Sequence, residues 1–303
     1  MDRFWHSVRF ETWVRESERE GAMTEIDTGT NDLVGRIDQG VGVLTMNRPE
    51  RRNAMSGAMT AALARALGQF EVDDEVGCVV LTGAGGAFCA GGDVKGMAER
   101  NDNGGRGAGR AETRRSTMDE SIHLQRLNQR ATAGRLYEMP KPTIAALPGA
   151  AAGAGLSLAL ACDLRYAAES AVLTTAFARV GFAGDYGGTW FLTRLVGPSR
   201  ARELYYLSPR LSAAEAERLG IVNAVFSDDR LEDEVLAIAR QLAAGPRVAY
   251  RYMKENLNRA VFGELGECLD MEAAHHIRTG LTEDHREAVA AFLEKREPVF
   301  RGR

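Results

Sequence analysis

The chain has 303 residues, room for one large domain plus appendages, and its 45% hydrophobic and 26% charged content excludes a disordered or fibrous protein. A net charge of −4, with Lys and Arg scattered, argues against nucleic acid as the main partner. The four cysteines (Cys78, Cys89, Cys162 and Cys268) form no CxxC pair and no zinc-like spacing with histidine, so they read as reduced thiols of a cytoplasmic protein.

Residues 1–30 are polar and rich in Glu and Arg, without the apolar core of a signal peptide, and read as a mobile extension; Met23 is an alternative start. Residues 33–37 and 41–46 read as two strands of a hairpin around Asp38-Gln39-Gly40. Ser56 caps an Ala/Leu helix running to about Phe70, and 76–81 is a buried strand. This β–α–β order predicts a right-handed crossover and an α/β core. A glycine-rich loop follows at 83–95. The polar Gly/Arg-rich run 97–117 lacks interleaved aromatics and reads as a flexible loop beside a pocket rather than an RNA-binding segment. Residues 120–138 are helical, ended by Met139-Pro140-Lys141-Pro142, and 143–147 is a short buried strand. It leads into a second glycine-rich stretch, 148–163, which becomes helical from about Leu156. The 18 uncharged residues 144–161 contain Pro148 and several glycines and read as a buried turn and helix, not a membrane span. Residues 164–167 and 171–174 alternate like strands, a helix starts at about Thr189, and the segment from Ser199 onward reads as helical throughout, interrupted at Ser208-Pro209 and Gly220. No internal repeat stands out.

The two glycine-rich stretches matter most. Between Gly149 and Leu156 no side chain can do acid–base work, yet a loop this poor in Cβ atoms can bring its backbone against a ligand and still enter a helix. Amides at a helix N-terminus favour negative charge, and two donors from two such loops would stabilise an oxyanion. The bland alternative is a pair of tight strand-to-helix turns with close packing.

The combination of Asn47-Arg48-Pro49 with Asn53-Ala54, residues 87–95, Lys141-Pro142 leading to 149–155, Cys162-Asp163, Gly187-Gly188-Thr189, residues 211–216 with Gly220-Ile221-Val222, and residues 292–295 resembles the crotonase (enoyl-CoA hydratase/isomerase) superfamily over roughly residues 33–300. The resemblance implies an α/β fold, a spiral of repeated ββα units. The spiral core would occupy 31–200 and a helical trimerisation region 201–303, after the extension 1–30. It implies an acyl-CoA thioester as ligand and homotrimers or hexamers as the assembly. By position it makes the N–H groups of Gly92 and Ala154 the oxyanion hole. It places Arg51, Arg52, Ala54 and Ala90 against the adenosine and phosphates of coenzyme A, and Phe292 and Lys295 against the nucleotide, often of a neighbouring subunit. Lys and Arg there suit phosphate; the alternative is solvated surface charge.

The departures are as informative. The positions of the two hydratase glutamates are Ser157 and Phe177, so two-glutamate hydration is not available. Asp185, on a glycine-flanked turn, matches an aspartate of some isomerases in the family. Lining by Phe177, Phe182 and Tyr186 would raise its pKa and suit it to shuttling a proton; the alternative is that it merely caps the following helix. Asp93 reads as a helix cap and Asp163 as structural. Ser157 and Tyr186 are expected to orient the acyl group, with Phe177 and Met97 also lining its pocket. The expected function is an acyl-CoA isomerase with no metal, no redox cofactor and coenzyme A only as part of the substrate. The partners expected are the acyl-CoA alone, with neither nucleic acid nor membrane. A one-carboxylate hydratase, a ring or thioester hydrolase, and a catalytically silent acyl-CoA binder are the other readings.

Overall fold

The structure, a computed structural model, describes residues 23–93 and 117–303. In chain order the strands are β1 (Thr24–Ile26), β2 (Leu33–Asp38), β3 (Val41–Met46), β4 (Cys78–Gly83), β5 (Ala87–Cys89), β6 (Thr143–Leu147), β7 (Ala150–Ala152), β8 (Leu164–Ala168), β9 (Val172–Thr174), β10 (Leu211–Ser212) and β11 (Ala224–Phe226). The α-helices are α1 (Gly57–Val72), α2 (Met118–Gln129), α3 (Arg135–Glu138), α4 (Ala154–Ala161), α5 (Gly188–Leu207), α6 (Ala213–Arg218), α7 (Leu231–Ala243), α8 (Arg247–Ala260), α9 (Leu265–Gly280) and α10 (Glu283–Glu294).

The strands form a seven-stranded sheet, β1-β2-β3-β4-β6-β8-β11, and a four-stranded sheet, β10-β9-β7-β5. The hairpin β2–β3 is antiparallel, and from β3 onward the large sheet is parallel through β11. The pairs β4–β5, β6–β7 and β8–β9 are successive repeats. Each sends its first strand to the large sheet and its second to the small one, and the last two then enter α4 and α5. The expected α/β spiral of ββα units is therefore present, although no residue pattern repeats with it.

Parallel strands covered on both faces must be apolar throughout, and β6 is buried at every position. On one face α1 packs Met59, Leu63, Leu67 and Phe70 into the main core. Ser56 Oγ starts that helix by accepting the Met59 N–H at 3.0 Å. On the other face α7 lays Leu231, Val235 and Leu236 over Val41, Val43, Val80 and Ile144. Each such buried aliphatic side chain stabilises the fold by about 1.5–3 kcal/mol. The C-terminal helices are tied to this body by Lys254 of α8. Its buried ammonium donates to Leu136 O at 3.0 Å, Lys141 O at 3.1 Å and Asp163 Oδ2 at 2.8 Å. Asp163 also accepts the Thr143 N–H at 2.8 Å, in keeping with its structural reading.

Several expectations are corrected. Within the extension expected at 1–30, residues 24–26 form β1 against β2, and Thr28 is buried with its carbonyl bonded by Arg65. The helix expected over 120–138 is three segments, α2, a π-helical turn at Arg130–Gly134, and α3. The helix expected from Leu156 begins at Ala154. The segment from Ser199 is not helical throughout: β10 and β11 complete the small and large sheets, so both sheets draw on residues beyond 200. The uncharged run 144–161 is strand, turn, strand and helix, and no helix of the described residues is long and apolar enough to cross a membrane.

Candidate active site

The two glycine-rich stretches meet through strands too short to see in the sequence. β5 pairs in parallel with β7, so residues 87–92 and 150–155 run side by side. Glycine is obligatory where they touch. A Cβ on Gly155 would stand 2.4 Å from Cys89 O, and one on Gly91 would stand 2.8 Å from Ala152 O and 3.4 Å from Ala154 N. Gly153, with φ 52° and ψ −124°, turns the chain into α4, whose first residue is Ala154. A first-turn amide has no acceptor within its own helix. Among the described residues neither Ala154 N–H nor Gly92 N–H donates a backbone hydrogen bond. The neighbouring Gly91 carbonyl is engaged, accepting Met55 N–H at 2.8 Å. Two unengaged amides on touching loops, one at the N-terminus of a helix buried along its whole length, suit an oxygen that gains negative charge.

The carboxylate comes from the turn before α5. Gly184, Tyr186 and Gly187 all have positive φ, 112°, 48° and 75°. For Tyr186, with a bulky Cβ substituent, this conformation costs about 1–2 kcal/mol and persists only because its surroundings fix it. Asp185 O accepts the Gly188 N–H at 3.1 Å. The Tyr186 N–H is donated to Gln129 Oε1 at 2.6 Å. The Tyr186 ring is buried, and burial pushes its phenol up to about 12. Asp185 itself is the exceptional group: its Oδ1 is buried and has no hydrogen-bond partner among the described residues, and desolvation pushes its carboxyl up from 3.8 to about 6. It does not cap α5, whose N-cap is Gly187, with no side-chain bond. Buried acceptors are almost always satisfied, so an orphan carboxylate oxygen calls for a reason other than stability.

Ser157 and Phe177 are both buried beside this turn. Tyr205, which sequence reasoning missed, joins them. Its ring stacks on Phe177 (5.8 Å between centroids, 9° between planes), and its phenol lies beside the Ser157 hydroxyl. A methyl on Gly188 would sit 2.2 Å from Ser157 Oγ and 2.6 Å from Tyr205 Oη, so these hydroxyls crowd the backbone next to Asp185. The charge of Asp185 is felt by Tyr186, Tyr205 and Cys89, which brings the carboxylate to the glycine loop carrying Gly92. Burial holds the Cys89 thiol up to about 12, too high for a nucleophile at neutral pH. Phe182 does not line the carboxylate as expected; it is 55% exposed.

Arg51, Arg52, Ala54 and Ala90 gather beside the Gly92 loop. Ala54 N–H is donated to Arg51 O at 3.1 Å, and Ala90 N–H to Arg52 O at 2.9 Å. Arg52 and Asn53 take left-handed conformations, and Asn53 holds that bend by donating to Ala84 O and Ala87 O. Phe292 lies on the exposed side of α10 and Lys295 is its exposed, left-handed C-cap, and no hydrogen bond or ion pair among the described residues links them to 48–54. Asp93 forms an ion pair with Arg48 at 3.1 Å; the helix it was expected to cap, and Met97, lie outside the described residues. Gln129 was also missed, because its partner is 57 residues away and nothing in an Arg/Gln-rich helix marks it.

The model of the enoyl-CoA hydratase/isomerase family matches residues 36–303. A 1,2-epoxyphenylacetyl-CoA isomerase of Escherichia coli is 39% identical over 271 residues, covering 89% of this chain and 98% of its own. A protein of Rhodobacter capsulatus named as a probable enoyl-CoA hydratase is 39% identical over 273 residues, 88% of this chain and 96% of its own. Among solved structures, an enoyl-CoA hydratase from Polaromonas sp. superposes with a TM-score of 0.79 at 34% identity, over 88% of this chain and 99% of that one.

Proposed function

The chain belongs to the enoyl-CoA hydratase/isomerase family of acyl-CoA enzymes, and we propose that within it this protein shifts a C=C bond with Asp185 as the proton carrier. One observation carries the reading: a half-buried carboxylate with one buried oxygen that has no partner among the described residues, and a pKa pushed to about 6. Such a group is ionised at neutral pH yet basic enough to accept a proton, which is what a two-way shuttle requires. The positions where the family resemblance puts the hydratase glutamates hold Ser157 and Phe177, neither of which ionises in this range.

In this mechanism the thioester carbonyl oxygen accepts hydrogen bonds from Gly92 N–H and Ala154 N–H. The Asp185 carboxylate removes a proton from the α carbon of a 3-enoyl thioester, and the C–H electron pair moves into a dienolate whose charge rests on the held oxygen. The protonated Asp185 exchanges its proton with solvent and then delivers a proton to the γ carbon, giving the 2-enoyl thioester with no net gain or loss of atoms. Each oxyanion donor contributes about 3 kcal/mol to lowering the barrier. Ser157, Phe177 and Tyr186 line the acyl group. Arg51, Arg52, Ala54 and Ala90 carry the nucleotide end, and Phe292 and Lys295 reach that of a neighbouring subunit in a trimer or hexamer. The naming of a 39%-identical relative as an isomerase supports the choice; the equally similar relative with a hydratase name keeps hydration as the competing outcome.

The test is mass spectrometry of 2-enoyl-CoA and 3-enoyl-CoA thioesters after incubation in deuterated water. Solvent deuterium at the α or γ carbon without uptake of water is the expected result. Gain of one whole water would overturn isomerisation in favour of hydration. Tight binding with no change on any thioester would overturn both in favour of a silent binder.

A further inference from the structure

We infer that Gln129 is a positioning residue for the Asp185 carboxylate: its side-chain amide oxygen fixes the left-handed turn that aims the acid. The inference rests on the role proposed above for Asp185 and adds a residue to it. The turn 184–187 contains three positive-φ residues, Gly184, Tyr186 and Gly187, with Asp185 between the first two. Its backbone has one internal tie, Gly188 N–H to Asp185 O at 3.1 Å. The second tie comes from outside: Gln129 Oε1 accepts the Tyr186 N–H at 2.6 Å, across 57 residues of sequence. An amide N–H points in a direction set by its peptide plane, and the Asp185–Tyr186 plane also carries the Asp185 carbonyl. Holding the Tyr186 N–H therefore fixes the rotation of the Asp185 backbone and the direction in which its Cβ leaves the chain.

The segment that supplies the acceptor is unusual in the same place. Gln129 is the last residue of α2, and the π-helical turn Arg130–Gly134 begins immediately after it. The Arg135 N–H reaches back five residues to Arg130 O. Such wide turns cost helix stability and occur disproportionately where a side chain is placed for function. The helix upstream buries none of its residues, whereas Thr132 and Ala133 of the π turn are buried. Gln129 thus stands at the joint between a solvent-exposed helix and the core, with its side chain spanning to the catalytic turn.

The experiment measures kcat and KM against pH for Gln129→Ala and Gln129→Glu beside wild type and Asp185→Asn. Gln129→Ala removes the acceptor and is expected to lower kcat about 10-fold to 100-fold with KM within twofold, the range for a displaced reacting group. Gln129→Glu keeps an acceptor for Tyr186 N–H and is expected to restore most of kcat. Its added charge near Asp185 moves the acid limb of the profile to higher pH. The titratable groups that sense Asp185 (Cys89, Tyr186 and Tyr205) are protonated near neutrality, so they leave that limb in place. A purely structural glutamine would lower the amount of folded enzyme in both variants without moving the limb, and that result would overturn the inference. So would wild-type kcat in Gln129→Ala. If Asp185→Asn turns over like wild type, the proposed function itself fails. If Asp185→Asn is inactive while both Gln129 variants match wild type, only the role of Gln129 fails.

Discussion

The two halves of the candidate site are built on opposite plans. The touching loops around Gly92 and Ala154 present backbone amides and are packed so closely that added carbon atoms have no room. The turn around Asp185 presents a single side chain, half-buried, in a stretch where the backbone bends freely through glycines. The first plan makes position rigid and chemistry generic, since any carbonyl oxygen can accept from an amide. The second makes chemistry specific and position dependent on outside ties such as Gln129. In the proposed reaction the loops choose which bond is polarised, and the turn decides what happens to it next.

Removing the specific half has the largest expected effect. Asp185→Asn preserves shape and is expected to lower kcat about a thousandfold while thioester binding, measured by calorimetry with a non-reacting acyl-CoA, stays within a few-fold. Next comes the rigid half. Gly155→Ala drives a methyl to 2.4 Å from Cys89 O, so backbone has to shift, and the expected loss is about 100-fold in kcat. Gly266→Ala, in α9 with open space around it, is the control: it leaves kcat alone and gains up to about 1 kcal/mol of helix stability, read by thermal unfolding.

Smaller effects sharpen the comparison through pH. With the Asp185 carboxyl pushed to about 6, kcat/KM is expected to fall about tenfold per pH unit below that value, as the base is lost. The same group works against stability. Between 3.8 and about 6 the folded chain binds more protons at this site than the unfolded chain, so its contribution to stability falls as pH rises through that window. Asp185→Asn abolishes this titration. Its melting temperature should exceed wild type by about 2 °C at pH 8 and match it near pH 4. An equal melting temperature at pH 8 would mean that the carboxylate is solvated after all.

The rigid half was legible in the sequence because only glycine and alanine permit such contact, and a run of them is visible without structure. Asp185 was legible because it is an acid in a glycine-flanked turn, in a chain whose hydratase-glutamate positions hold Ser157 and Phe177. The strands that join the loops were not: β5 and β7 are three-residue segments, Ala-Phe-Cys and Ala-Ala-Ala, with no alternation to read. The spiral repeat was invisible because its turns share geometry and not residues. The π turn, Arg-Ala-Thr-Ala-Gly, has the composition of ordinary helix. Tyr205 and Gln129 act through contacts distant in sequence, and their neighbours along the chain carry no hint of them. Phe182 shows the reverse error: sequence adjacency to Asp185 suggested contact, and the ring points to solvent.

The tie made by Lys254 has a consequence for the order in which the protein can be completed. A ribosome delivers the chain N-terminus first, and the early strands β3, β4, β6 and β8 can line up as they emerge. The large sheet still lacks its last strand until Phe226 is out, and the small sheet lacks β10 until Ser212 is out. Three oxygens, on Leu136, Lys141 and Asp163, wait longer still for the ammonium of Lys254. Until then the segment from Leu136 to Lys141 and Asp163 lack this shared cation, and the Thr143 bonds to Asp163 are their tie. A nascent chain stalled before that lysine would carry the candidate site residues without this last tie, so the last third of the chain completes what the first two thirds begin.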